Sequence, residues 1–344
     1  MNSETVAGVD DRGHRPQRLQ TVILRSVSRS FYLSMRFLPP QLREPIALAY
    51  LLARTTDTVA DTTRIPGTVR MEALKILSDG IQGKASREMV VNQVASFVAL
   101  QENASERTLL DSLSDYLKWL EQTEDADRSD IRGVLARITH GQMLDLNRFD
   151  NPAKIRALLT AADLDEYTYL VAGCVGEFWT RLCFRHVRDF ASSSREEMLV
   201  LGRRYGMGLQ LINVLRDAGN DLRAGRCYFP EEELGAVGLS VAQILSQADR
   251  FQPIYHRWME KAQDGLERGI RYARAIRNRR VRAATALPAL IGARTLSLLH
   301  KAGASALHSI VKVPRSEVRA MMISLAVTLA SHAKIDAIFK RAKQ

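Results

Sequence analysis

The chain reads as a single all-α domain, and three observations predict this. Apolar residues recur at helical spacing along nearly all of its 344 residues. Strand-like alternation bounded by tight turns is absent. The breaks fall where punctuation demands them: Pro39–Pro40, Pro66–Gly67, Asn151–Pro152, Gly225 to Pro230 and Pro314. No shift in composition marks a linker, and no fixed period marks a repeat array. Residues 1–17 are polar and expected to form a disordered tail, with one domain over 18–344.

In chain order, the first helix is expected near 18–38, closed by Pro39–Pro40, and the second over 41–63, closed by Pro66–Gly67. Helices near 68–102, 106–122 and 127–147 follow, the last stopped by Asn151–Pro152. Periodic segments over 153–188 and 194–222 lead to the Gly225–Pro230 break. Further helices are expected near 240–247, 251–284, 287–307 and 314–340, the final one opening at Pro314.

At 46% hydrophobic and 25% charged, the chain can bury a sizeable core. Its three cysteines, Cys174, Cys183 and Cys227, are too few and too scattered for a disulfide frame or a structural zinc site. A reducing cytoplasm fits that usage. No signal peptide is visible. No run reaches the roughly 18 to 20 apolar residues of a membrane span. The strongest candidate, Ala320 to Ala330, has 11 residues and reads as a core helix. The net charge of +11, with a pI near 9.8, leaves nucleic acid, an anionic membrane surface or an anionic substrate as partners. No nucleic-acid motif is present, and the basic run Arg274 to Arg282 reads as a solvated helix face.

Two polar seams stand out on otherwise apolar helices. Tyr50, Arg54, Asp57 and Asp61 fall within roughly 60° of one another at about 100° per residue. Gln210, Asn213, Asp217 and Asp221 fall within about 80°. Like charges at i, i+4 repel, and an unpaired carboxylate in apolar surroundings costs several kcal/mol. Arg54 and Arg216 are too few to offset four carboxylates. Oxygen-only ligands with spare coordination positions suit Mg²⁺ held between carboxylates and substrate phosphates. Two such stripes facing each other would clamp a diphosphate. A third polar line, His140, Gln142 and Asp145, reads as a satisfied buried network, with contact to the site as the alternative.

Three long blocks then resemble the squalene and phytoene synthase family: SRSFYLSMRFLPPQLREPIALAYLLARTTDTVADT (Ser28 to Thr62), YTYLVAGCVGEFW (Tyr167 to Trp179) and YGMGLQLINVLRDAGNDLRAGRCYFP (Tyr205 to Pro230). The likeness runs from about residue 20 to 330. It implies an isoprenoid-synthase-type helical bundle around a central cavity, and head-to-head condensation of two allylic prenyl diphosphates. It implies that Asp57, Asp61, Asp217 and Asp221, with Asn213, hold Mg²⁺. Arg29, Ser30, Phe31, Arg54, Gln210, Asn213, Arg216, Arg226 and Tyr228 would contact substrate. Tyr50, Tyr169, Arg54 and Arg216 would form the catalytic set. Many relatives carry a tyrosine immediately before VAG; here that position is Leu170, and Tyr169 stands one step earlier.

Within the family, DTVAD (Asp57 to Asp61) and the chain length resemble squalene synthases more than carotenoid-type enzymes. That implies farnesyl diphosphate as substrate, presqualene diphosphate as intermediate and NADPH as reductant. Val311 to Met322 resembles the segment that holds NADPH, which makes Lys312 and Arg315 the candidates, with Pro314 at a position that is basic in relatives. The alternatives are a relative that stops at presqualene diphosphate, dehydrosqualene or phytoene without reduction, and a non-catalytic helical assembly protein of the same fold. A monomer in the cytoplasm is expected, resting peripherally on the inner membrane surface through its positive charge, with no nucleic acid partner.

Overall fold

The structure, a computed structural model, describes residues 35, 37–149 and 154–344. The expected tail and most of the expected 18–38 helix lie outside the described residues.

The first described helix, α1 (Pro40–Asp61), opens with Pro39 and Pro40, which pre-set the φ of its first turn. It is followed by α2 (Gly67–Ile81), α3 (Arg87–Ala99), α4 (Ala104–Asp111), α5 (Leu113–Gln122) and α6 (Asp125–Arg148). A short strand, β1 (Arg156–Leu158), leads to α7 (Ala161–Thr168), whose Thr160–Asp163 capping box satisfies its first turn. One π turn over Tyr169–Gly173 joins it to α8 (Cys174–His186). Next comes α9 (Arg195–Arg223), capped by Ser194 and carrying Glu196 and Glu197 against its N-terminal dipole. Then follow β2 (Arg226–Pro230), α10 (Glu231–Ala236), α11 (Ala248–Ala275), α12 (Arg279–Ala302), α13 (Arg315–Val327) and α14 (His332–Ala342).

Two apolar cores flank one central helix. The first is built from α1 to α6 and α8, around Leu48, Leu51, Leu52, Leu74, Phe97 and Leu135. The second joins α9 to α11, α12 and the C-terminal helices, around Leu215, Phe251, Trp258, Leu266 and Leu290. α9 crosses α11 with backbones touching: a Cβ on Gly208 would stand 2.7 Å from the Gly265 Cα. It meets α8 as closely, where a Cβ on Gly176 would stand 1.9 Å from the Gly202 carbonyl oxygen.

The helical class holds, and several boundaries differ. The expected 68–102 helix is two, because Gly83 takes a φ of +77° after α2. The expected 314–340 helix breaks at Leu329 and Ala330, both at positive φ. The expected 251–284 and 287–307 helices divide earlier than expected: the break falls at residues 276–278, where Asn278 caps α12, and Pro288 lies inside α12. The Gly225–Pro230 break contains a strand, paired in parallel with β1 through Arg156 and Arg226. Strands of three and five residues are too short to show a period of two.

Candidate active site

A cavity of about 910 Å³ lies between the two cores. Its wall is apolar over most of its area, with Ile46, Val134, Ile138, Val171, Val175 and Phe178 among the lining. α1 and α9 each bring a polar seam to it. Tyr50, Arg54, Asp57 and Asp61 line it from α1, and Gln210, Asn213, Asp217 and Asp221 from α9. The helical spacing that put each set on one stripe therefore also puts both stripes on one space.

The carboxylates carry most of the site's electrostatics. Arg54 forks between Asp57 and Glu106, reaching the latter at 2.5 Å. Even so, burial and the neighbouring Asp61 raise the Asp57 carboxyl to about 6. Its side chain is 42% exposed, and that surface faces the cavity, so surrounding protein still strips bulk water from it. Burial also raises Asp61, against the pull of Arg226 and Arg54. Asp221 is raised by burial and held by Arg226 at 2.8 Å. Arg216 grips Asp217 with two donors, at 2.9 and 2.5 Å, but does not line the cavity.

Strand β2 aims the next pair of groups. Side chains two apart on a strand share a face, so Arg226 and Tyr228 both reach the cavity. Tyr228 donates to Asp145 Oδ2 at 2.6 Å and stacks on Tyr167, with centroids 4.6 Å apart. Asn213 donates to Gln210 Oε1 at 3.1 Å, and Gln210 donates to the Tyr167 hydroxyl at 3.3 Å. Burial raises Asp145 to about 7, although Tyr228 and Arg226 pull it down.

Several expected residues are placed differently. Arg29, Ser30 and Phe31 lie outside the described residues. Tyr169 is not in the cavity lining; Tyr167 is, in line with Val171 and Val175. The π turn rotates Tyr169 away to pack beside Gly173 and the first core. Lys312 and Arg315 are exposed and outside the lining, because residues 308–314 run along the surface beyond α12. Gln142 and Asp145 line the cavity, whereas His140 is exposed. They do not form a satisfied network: Gln142 Oε1 and Asp145 Oδ1 have no partner among the described residues. Arg70, Phe149, Tyr167 and Asn220 join the lining without having been singled out in the sequence. For Tyr167 a signal existed, its i, i+4, i+8 spacing with Val171 and Val175. Arg70 came with none, since it reaches the cavity from a separate helix.

Among the described residues, no three carboxylates, imidazoles or thiols converge tightly enough to hold an ion unaided. The donor set still fits Mg²⁺: oxygen ligands on two facing helices, with raised carboxyls that a cation would relieve. Mg²⁺ binds through one or two carboxylates plus substrate phosphates in such sites. The donors left open for those phosphates are the Nε groups of Arg54, Arg70 and Arg226, all buried and without a partner among the described residues.

The sequence signature of the squalene/phytoene synthase family matches residues 24–317. The chain belongs to this family of prenyltransferase-type enzymes. A squalene synthase of Saccharomyces cerevisiae is 28% identical over 210 residues, 61% of this chain and 44% of that protein. A bifunctional lycopene cyclase/phytoene synthase of Phaeosphaeria nodorum is 28% identical over 249 residues, 71% of this chain and 40% of that protein. The chain thus spans less than half the length of these curated relatives. A solved structure of TcSQS with a ligand superposes at a TM-score of 0.73 and 21% identity, covering 96% of this chain and 98% of that one. It shows that the fold is shared.

Proposed function

We propose that the chain is a squalene synthase, condensing two farnesyl diphosphates head to head through presqualene diphosphate and reducing the product with NADPH. The observation that carries this reading is the meeting of Asp57, Asp61, Asp217 and Asp221 at one apolar cavity. Its volume, about 910 Å³, is at the upper end of the ~300–1,000 Å³ usual for ligand sites, which suits two long prenyl chains.

In this reading, bound Mg²⁺ neutralises diphosphate charge and makes it a better leaving group. The four aspartates would hold the ions, with Asn213 beside them. Arg54, Arg70 and Arg226 donate to diphosphate oxygens, as guanidinium groups do well. Loss of diphosphate from one substrate leaves an allylic cation. The double bond of the other attacks it, and loss of a proton to released diphosphate closes a cyclopropane. The apolar wall keeps water from the cation. The rings of Tyr50 and Tyr167 offer it π density.

A second reading, release of presqualene diphosphate, dehydrosqualene or phytoene without reduction, is favoured by one observation. Lys312 and Arg315, the residues proposed to hold NADPH, lie outside the cavity lining. Incubation of purified protein with farnesyl diphosphate and Mg²⁺, with and without NADPH, separates the readings by mass spectrometry of the products. Squalene that requires NADPH supports the first. Presqualene diphosphate or dehydrosqualene regardless of NADPH supports the second. No prenyl product from farnesyl diphosphate or, in a parallel incubation, from geranylgeranyl diphosphate overturns both.

A further inference from the structure

Helix α13 was expected to be core, and only one side of it is. Met321 and Leu325 are buried against the second core. On the other side, Ser316, Arg319, Ala320, Ile323, Ala326 and Val327 fall in one sector of about 120° and are all exposed. Ile323 is 63% exposed and Val327 76%. Ile310 before the helix and Leu329 after it are also exposed, at 72% and 57%. Large aliphatics so bare are ordinary when scattered singly; grouped around one helix they mark an interaction surface.

The charge around this surface has one sign. Lys312, Arg315 and Arg319 are exposed. The only acid between residues 308 and 335 is Glu317, which is held by Arg294 at 2.7 Å. An exposed aliphatic ridge with a basic rim matches the boundary of an anionic bilayer, where apolar groups enter the acyl region and cations meet headgroups. The surface begins beside the helix that carries Asp217 and Asp221. Arg223 donates to the Leu307 carbonyl oxygen at 2.9 Å, and a Cβ on Gly219 would stand 1.9 Å from that same oxygen. Ile310 is three residues further, within about 11 Å of Leu307 along the chain.

We infer that the exposed face of α13, with Ile310 and Leu329, docks the protein on an anionic lipid surface. No helix among the described residues is long and apolar enough to cross a membrane, so the contact is interfacial. The inference takes Lys312 and Arg315, the residues proposed for NADPH, as lipid contacts, and it needs no chemistry in the cavity.

Flotation of the full 344-residue chain with phosphatidylcholine vesicles, with and without phosphatidylglycerol, tests it. Binding is expected to require phosphatidylglycerol and to weaken in high salt. Both Arg319→Glu and the double variant Ile323→Asp/Val327→Asp are expected to lose about fivefold or more in binding. Helical circular dichroism should be unchanged, since these side chains face outward. Wild-type-like flotation of both variants overturns the inference, as does absence of flotation by the parent chain. A dimer in sedimentation velocity that the double variant disperses also overturns it, by showing a second copy on this face. Should the double variant lose helicity, Arg319→Glu decides alone.

Discussion

Asp57 and Asp145 are both raised carboxyls on one cavity, and they call for different tests. Asp57 is raised by burial and by Asp61, and binding of a divalent ion there would displace its proton to solvent. Asp57→Asn or Asp217→Asn is expected to cut turnover of farnesyl diphosphate more than about 100-fold, beyond the loss typical of an outer-shell change. Helical circular dichroism should not change; full activity in either variant would remove the metal-clamp reading. Asp145 is raised from an ordinary 3.8 to about 7, so the folded chain binds a proton there that the unfolded chain releases. That contribution to stability is complete below about pH 4 and is lost as pH rises through 7. Asp145→Asn removes the loss. The melting temperature of the variant relative to the parent is therefore expected to rise between about pH 5 and pH 8. A pH-independent difference would show that Asp145 keeps a low pKa. Both aspartates are legible as polar positions in helical sequence. Their raised pKa values are not, because burial and neighbours from other elements set them.

At the scale of elements, two irregular pieces aim the site. The π turn at Tyr169–Gly173 directs Tyr167, Val171 and Val175 to the cavity and Tyr169 away from it. Tyr167→Phe is expected to lower turnover, since it deletes the hydroxyl that Gln210 meets; Tyr169→Phe should change it little. The reverse order of effects in steady-state assays would reject this assignment. Strand β2 brings Arg226 and Tyr228 to the same wall. Neither piece has a periodicity long enough to read from sequence; a single helical wheel over 153–188 cannot contain an inserted π residue. Helix contacts are legible only in part. Gly208 and Gly265 are unremarkable as letters, yet they let α9 touch α11. Gly208→Ala should destabilise the protein by about 1–3 kcal/mol, measured by chemical denaturation, because the new methyl meets backbone that cannot move aside.

For the whole molecule, the two cores and the cavity between them act together. If the cavity holds divalent ions with diphosphate, inorganic diphosphate and Mg²⁺ together should raise the melting temperature more than either alone. The rise should grow from about pH 5 to pH 8, because ions compete with protons at Asp57. A shift equal for diphosphate alone would place the ligand on arginines without metal. By itself, the sequence determined the helical class, the two aspartate seams and the expectation of an internal site. These are local: a residue's face on a helix follows from its position modulo 3.6. Only the tertiary structure decided that the seams share one cavity, that Tyr167 and not Tyr169 lines it, that Arg54, Arg70 and Arg226 keep Nε donors open there among the described residues, and that α13 turns an aliphatic face outward. Those are relations between elements distant along the chain, and packing, not periodicity, sets them.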